Sequence, residues 1–155
     1  MNETPVVIYD WFPTFLKASN GQLPANLIDG SDVTPLLRGK KDASFDRPLV
    51  WHFPNFWGPL KRDGACEGPG LGPSSTIRHG DWKLIFYHSD QRFELFNLAK
   101  DLSETTDLSS KEPKRVRELA AELSAILRRN QAPMPVMKVT GEQVPLPDEA
   151  LKAQK

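Results

Sequence analysis

Apolar residues recur along this chain in two rhythms, and the change from one to the other marks out its elements. Val6, Val7, Ile8 and Tyr9 form a continuous β-prone run that stops at Asp10, the pattern of a strand buried on both faces. Asp10 then stands as N-cap of a helix with Pro13 in its first turn and Phe12, Phe15 and Leu16 at helical spacing, ended by Asn20 and Gly21. Asp29-Gly30 predicts a turn, after which Ser31 or Asp32 caps a short helix through Leu36 and Leu37 that closes near Gly39. The polar stretch 40–47 reads as a connector.

Beyond it the pattern becomes that of strands. The stretches 49–53, 76–78, 82–87 and 93–96 are short, rich in aromatic or β-branched residues, and bounded by turn formers. His79-Gly80-Asp81 and His88-Ser89-Asp90-Gln91 are of hairpin length, so the last three strands are expected to run antiparallel as a meander. A long Gly- and Pro-rich connection, 54–73, separates the first two strands, and loops of that length are functional or disordered. Ser110 is expected to cap a helix with Glu112 and Pro113 in its first turn. Val116, Leu119, Ala120, Leu123, Ile126 and Leu127 give that helix an apolar stripe to lay across the sheet. After Asn130, four prolines at 133, 135, 145 and 147 and few large apolar residues predict an extended or mobile tail.

Composition narrows the function classes. Lys plus Arg equals Asp plus Glu at 20 each in 155 residues, so no global field recruits nucleic acid or an anionic membrane. Cys66 is the single cysteine, which excludes an intrachain disulfide or a multi-cysteine zinc site. No apolar run approaches the ~20 residues that cross a bilayer, and Met1 to Thr4 carries no basic region ahead of an apolar one. The first strand and helix are more apolar than an exposed chain start, which leads to the expectation that they pack on a larger body.

At this point the residues become specific. Pro5-Val6 with Asp10, Pro13-Thr14 and Gly21, then Asp29-Gly30 leading to Pro35-Leu36-Leu37 and Gly39, resembles the stretch that closes the catalytic domain of sulfatases. Trp51-His52-Phe53-Pro54, Ser74-Ser75-Thr76-Ile77-Arg78, Gly80-Asp81-Trp82-Lys83-Leu84-Ile85 and Glu94-Leu95-Phe96-Asn97-Leu98 are similar to the carboxy-terminal subdomain of that family. Asp101, Glu104-Thr105-Thr106 and Asp107-Leu108 continue the likeness into the long helix. The resemblance implies an α+β fold for this chain. Its parts are a remnant strand and helix of the larger α/β catalytic domain (1–40), a small antiparallel four-stranded sheet packed by one long amphipathic helix (45–130), and an extended or disordered tail (131–155).

The same resemblance implies hydrolysis of sulfuric esters by an arylsulfatase-type enzyme of the alkaline-phosphatase-like superfamily, using a formylglycine and a calcium-like divalent cation. A cation and basic groups would stabilise charge on the leaving oxygen. The modification motif needs Pro two residues and Arg four residues after its Cys, whereas Glu67, Gly68, Pro69 and Gly70 follow Cys66, so Cys66 is not the nucleophile. No aspartate pair with a later Asp-Asn is present either. The expectation is a carboxy-terminal sulfatase fragment, inactive alone, with no catalytic residue, metal ligand or cofactor of its own. It would support the catalytic domain and form one wall of the sulfated-substrate cleft, and the parent family is often exported, periplasmic or extracellular, which leaves this chain's compartment open. A self-standing carbohydrate- or protein-binding module is the rival.

His52, at a strand end beside the long loop, is either a substrate contact or a hydrogen-bonded structural histidine. Trp57 offers a stacking face and Lys61 and Arg62 offer cations to a sulfated sugar, although exposed Lys and Arg are ordinary surface residues. One or both of Arg78 and Lys83 are expected to pair with carboxylates such as Asp81 or Glu94 across the meander. Trp82, Phe86, Phe93 and Phe96 are expected in the core.

Overall fold

The computed structural model describes residues 4–24, 29–40, 45–55, 72–137 and 140–153. The chain forms two compact units, 1–47 and 48–155.

The first unit has no strand among its described residues. Val6 and Val7 are extended coil, and Ile8–Asp10 is a turn of 3-10 helix leading directly into α1, Trp11–Ala18. The strand expected over 6–9 is thereby corrected. A strand exists through the ladder it makes with another, and no described segment of this unit pairs with 6–9. Asp10 does not act as a side-chain cap of α1 either. Its carboxylate is buried, and it accepts hydrogen bonds from the Val7 and Ser31 backbone N–H groups at 2.8 and 2.9 Å and pairs with Arg47.

Thr14 adds a second tie to the same unit. Its hydroxyl donates to the Asp10 carbonyl at 2.7 Å and accepts from the Val33 N–H at 2.9 Å. α1 ends as expected, with Asn20 left-handed at φ 57° and the Gly21 N–H returning to the Leu16 carbonyl. In α2, Thr34–Leu37, Asp32 accepts from the Thr34 N–H, and Gly39 at φ 76° terminates the turn. Val33, Leu36 and Phe45, with Trp11 against them, form the small core of this unit.

The second unit is built on β1 Leu49–Phe53, β2 Ser74–His79, β3 Trp82–Tyr87 and β4 Phe93–Asn97, an antiparallel meander in the order β1-β2-β3-β4. The register places Val50, Ile77, Leu84 and Leu95 in one row across the strands. α3, Pro113–Arg129, packs its buried Val116, Leu119, Ala120, Leu123 and Leu127 on that row. The expected core aromatics behave accordingly. Phe86 and Phe96 are buried and Trp82 and Phe93 pack on the main cluster.

Three local expectations change. Ser110 does not cap α3. The Lys111 and Glu112 N–H groups turn back to the Leu108 carbonyl, which moves the N-cap to Glu112 with Pro113 as first helical residue. Lys83 does pair with a carboxylate, but it is Glu104 at 2.7 Å, from the segment after β4, rather than Asp81 or Glu94, while Arg78 donates locally to the Gly80 carbonyl.

The stretch expected as a loose tail also holds structure. Val136 bridges Gln143, and Pro147–Ala153 forms α4. Buried Val144 and Ala150 pack against Phe86, while the Ser124 hydroxyl on α3 accepts from the Asp148 N–H and Arg128 pairs with Asp148 and Glu149. Partners far back in the sequence, not local propensity, order this helix. Among the described residues no helix is long and apolar enough to cross a membrane.

Candidate functional site

The row next to Val50-Ile77-Leu84-Leu95 on the same face of the sheet reads His52, Ser75, Phe86, Phe93. It lies at the root of the connection between β1 and β2. His88, two residues beyond Phe86, continues that face, and its N–H holds the Pro73 carbonyl at 2.9 Å. Three side chains meet there. His52 Nδ1 and His88 Nε2 each stand 2.8 Å from Ser75 Oγ, and His52 Nε2 stands 3.0 Å from the carbonyl oxygen of Pro133.

The Pro133 carbonyl orders the protons of this chain, because it only accepts. His52 Nε2 must therefore carry its proton and donate, which leaves Nδ1 of the neutral ring as the acceptor of the Ser75 hydroxyl. Ser75 Oγ in turn accepts from the His88 Nε2–H. His88 Nδ1 is left as a bare lone pair, buried and without a hydrogen-bond partner among the described residues. Burial pushes the His88 imidazole down to about 4, with the neighbouring His52 ring as the lesser cause. The two rings lie 5.6 Å apart, and His88 meets Phe86 edge-on at 5.7 Å.

A hydroxyl between two imidazoles has the composition of an activated nucleophile. Ser75 is fully buried, however, so its oxygen serves packing and hydrogen bonding rather than attack on a ligand. His52 has both ring nitrogens engaged within the chain, which makes it a tie between β1, β2 and the segment at Pro133. Trp57, Lys61, Arg62 and Cys66 lie outside the described residues. Ser75 and His88 were not singled out from sequence, and the signal that locates them is the pairing register, which carries His52 onto Ser75 and then Phe86.

A separate groove of about 700 Å³ opens between β4, the first half of α3, and α4. Its cations are Arg92, Arg117 and Lys152; Arg92 pairs with Asp90 and with Glu94 beside the groove, and Lys152 pairs with Asp148. Among the described residues no group of three or more His, Cys, Asp or Glu converges where a metal ion could be held. These residues do not fit the divalent cation that the resemblance implies.

Known proteins share this fold. A sulfatase of Formosa agariphila is 31% identical over 152 residues, which span 89% of this chain and 26% of that protein. Arylsulfatase K of Xenopus laevis is 28% identical over 128 residues, 80% of this chain and 22% of that protein. The chain thus spans about a quarter of the length of these relatives. Among solved structures, BT4656 in complex with its substrate D-glucosamine-2-N,6-O-disulfate superposes with a TM-score of 0.58 at 22% identity, covering 79% of this chain and 24% of that one. BT1596, a 2-O GAG sulfatase, superposes with a TM-score of 0.60 at 24% identity, covering 79% of this chain and 25% of that one. The family model described as N-sulphoglucosamine sulphohydrolase, C-terminal, matches residues 2–132, so it takes in both units, and the chain belongs to that family of sulfatase carboxy-terminal regions.

Proposed function

We propose that this chain works as the carboxy-terminal portion of a sulfatase, supporting a catalytic domain and forming one wall of its sulfated-substrate cleft, while hydrolysing nothing alone. The observation that carries this reading is the exposed apolar surface of the first unit. Ile8 is 82% exposed, Phe15 66%, Leu37 65% and Phe12 54%. Exposed apolar surface of this kind marks an interaction face. The relatives carry about three quarters of their length outside the matched region, which supports a catalytic domain as the occupant of that face. The formylglycine and the divalent cation are then supplied by that domain.

The substrate class follows by analogy. One structural relative was solved with a sulfated glucosamine and another is described as a glycosaminoglycan sulfatase, which favours a sulfated carbohydrate. In this reading the wall is at the β1 edge, where His52 acts by holding the root of the 54–73 connection, and Trp57, Lys61 and Arg62 are the proposed sugar-binding residues. The self-standing module is disfavoured, because a complete binding module buries its large apolar residues rather than displaying Ile8, Phe12 and Phe15 on one short segment.

The test assays the purified chain against an aryl sulfate and against glucosamine-2-N,6-O-disulfate. The expected result is no hydrolysis above buffer. Turnover at enzyme-like rates by the chain alone would overturn the assignment. Hydrogen exchange supplies the structural arm: amides over 8–16 are expected to exchange far faster than those of β2 and β3, and equal protection of the two would favour the self-standing module instead.

A further inference from the structure

We propose that His88, Ser75 and His52 form a proton-ordered clasp that holds the segment beginning at Pro133 against the sheet, and that a proton arriving at His88 Nδ1 opens it. This inference does not depend on the sulfatase reading, since every part of it lies within the second unit.

The ordered chain has one free end and one working end. At the working end the His52 Nε2–H holds the Pro133 carbonyl, and at the free end the His88 Nδ1 lone pair sits buried with no partner among the described residues. While that nitrogen is bare, the arrangement is saturated: each donor has its acceptor. A proton there creates a buried cationic N–H with no acceptor among the described residues, an unfavourable state in an apolar site. The ring relieves that cost by leaving the cluster for water, breaking its bond to Ser75.

The consequence reaches Pro133 by two routes. Ser75 loses the donor that fixes the orientation of its hydroxyl toward His52. Phe86 loses the ring packed on its edge, and Phe86 is the floor on which Val144, Met134 and Met137 rest. Both routes act on the same stretch. α4 also meets the Phe86 cluster through Ala150, but Ser124 and Arg128 hold it in addition, and it is expected to stay. Among the described residues facing His88, only His52 from β1 carries an ionisable ring. Ser75 from β2 and Phe86 from β3 do not, and the C-terminal segment presents Val144, Ala150, Met134 and Met137 around Phe86. Asp90, two residues further on in the turn, is committed to Arg92. The low proton affinity of His88, about 4, agrees with a ring that resists protonation in place.

The experiment uses the full chain. Nitrogen-15 shifts of the imidazoles at neutral pH are expected to report the Nε2–H tautomer for both His52 and His88. Amide exchange, corrected for intrinsic rates, is followed at Ala132, Met137 and Val144, whose N–H groups bond to Leu127, Glu142 and Pro135. On going from neutral pH to about 4 these amides are expected to lose protection by about tenfold or more, while Leu84 and Leu95 keep theirs. His88→Gln retains a donor to Ser75 without titrating, and is expected to remain protected at the acid end. Ser75→Ala is expected to open the segment already at neutral pH. An Nδ1–H tautomer on either ring, unchanged protection down to pH about 4, or the same acid loss in His88→Gln would overturn the proposal. The tautomer measurement needs no variant, so a failure of either substitution to fold leaves the test intact.

Discussion

Gly30 lies so close to the carbonyl of Tyr9 that a Cβ added there would stand 2.2 Å from its oxygen, a contact no side chain survives. Gly30→Ala therefore pushes apart the two segments that Asp10 joins, and is expected to destabilise the first unit by about 2 kcal/mol or more, read as a lower urea midpoint for that unit. Asp10 itself is nearly fully buried and receives Val7, Ser31 and Arg47 together. Asp10→Ala leaves the Arg47 charge without its partner, and about 3 to 5 kcal/mol is the expected loss by the same measurement. His88 supplies a pH dependence whose sign is definite. Its folded value of about 4 lies below the 6.5 of an ordinary histidine, so the folded state binds fewer protons than the unfolded one between the two. Stability from this group is complete above pH 6.5 and falls as pH drops through that window, for a total of about 3 kcal/mol by pH 4. Denaturant titrations of the second unit across that range check it, and His88→Gln is expected to flatten the slope.

At the scale of elements, α3 is the member that makes the meander a domain. Leu123 is fully buried where the helix crosses the Ile77-Leu84-Leu95 row, so Leu123→Ala is expected to cost about 2 to 5 kcal/mol in the unfolding of the second unit. The outer edge of β4 is closed by Asp107 and Leu108. The Asp107 carboxylate accepts from the Leu95 N–H, and the Leu108 N–H returns to the Leu95 carbonyl. α4 depends on α3 in a different way, since the Ser124 hydroxyl stands in for a local N-cap by accepting from Asp148. Ser124→Ala is expected to fray α4 at a cost of about 1 kcal/mol, seen as faster exchange at Ala150 with little change at Leu84.

The whole chain carries two unequal cores. The first unit has three buried apolar residues at its centre, Val33, Leu36 and Phe45, whereas the second stacks a sheet row against five residues of α3. A core that small stabilises little, so the first unit is expected to open first in native-state exchange. Its exposed Ile8, Phe12 and Phe15 are also expected to drive concentration-dependent self-association of the isolated chain. Replacing Ile8 and Phe15 by Ser is expected to reduce that association in sedimentation measurements and leave the second unit's melting unchanged.

Strand positions, the long helix and the end of α1 were legible in the residues themselves, because alternation, helical spacing and an Asn-Gly stop are local signals that act within a few bonds of where they are read. The motif order that places the chain among sulfatase carboxy-terminal regions was legible for the same reason. Other features were decided only when distant segments met. Val6 to Tyr9 found no strand to pair with among the described residues, and the Asp10 carboxylate went to Ser31 and Arg47 instead of capping its own helix. Lys83 took Glu104 as its partner, and Ser124 ordered a helix that four prolines had argued against. The His52, Ser75 and His88 cluster belongs to this second group: its members lie 23 and 13 residues apart, and only the register of β1, β2 and β3 brings them within hydrogen-bond distance. A side chain's partner is chosen by packing across the fold, and that choice leaves no periodic mark on the chain.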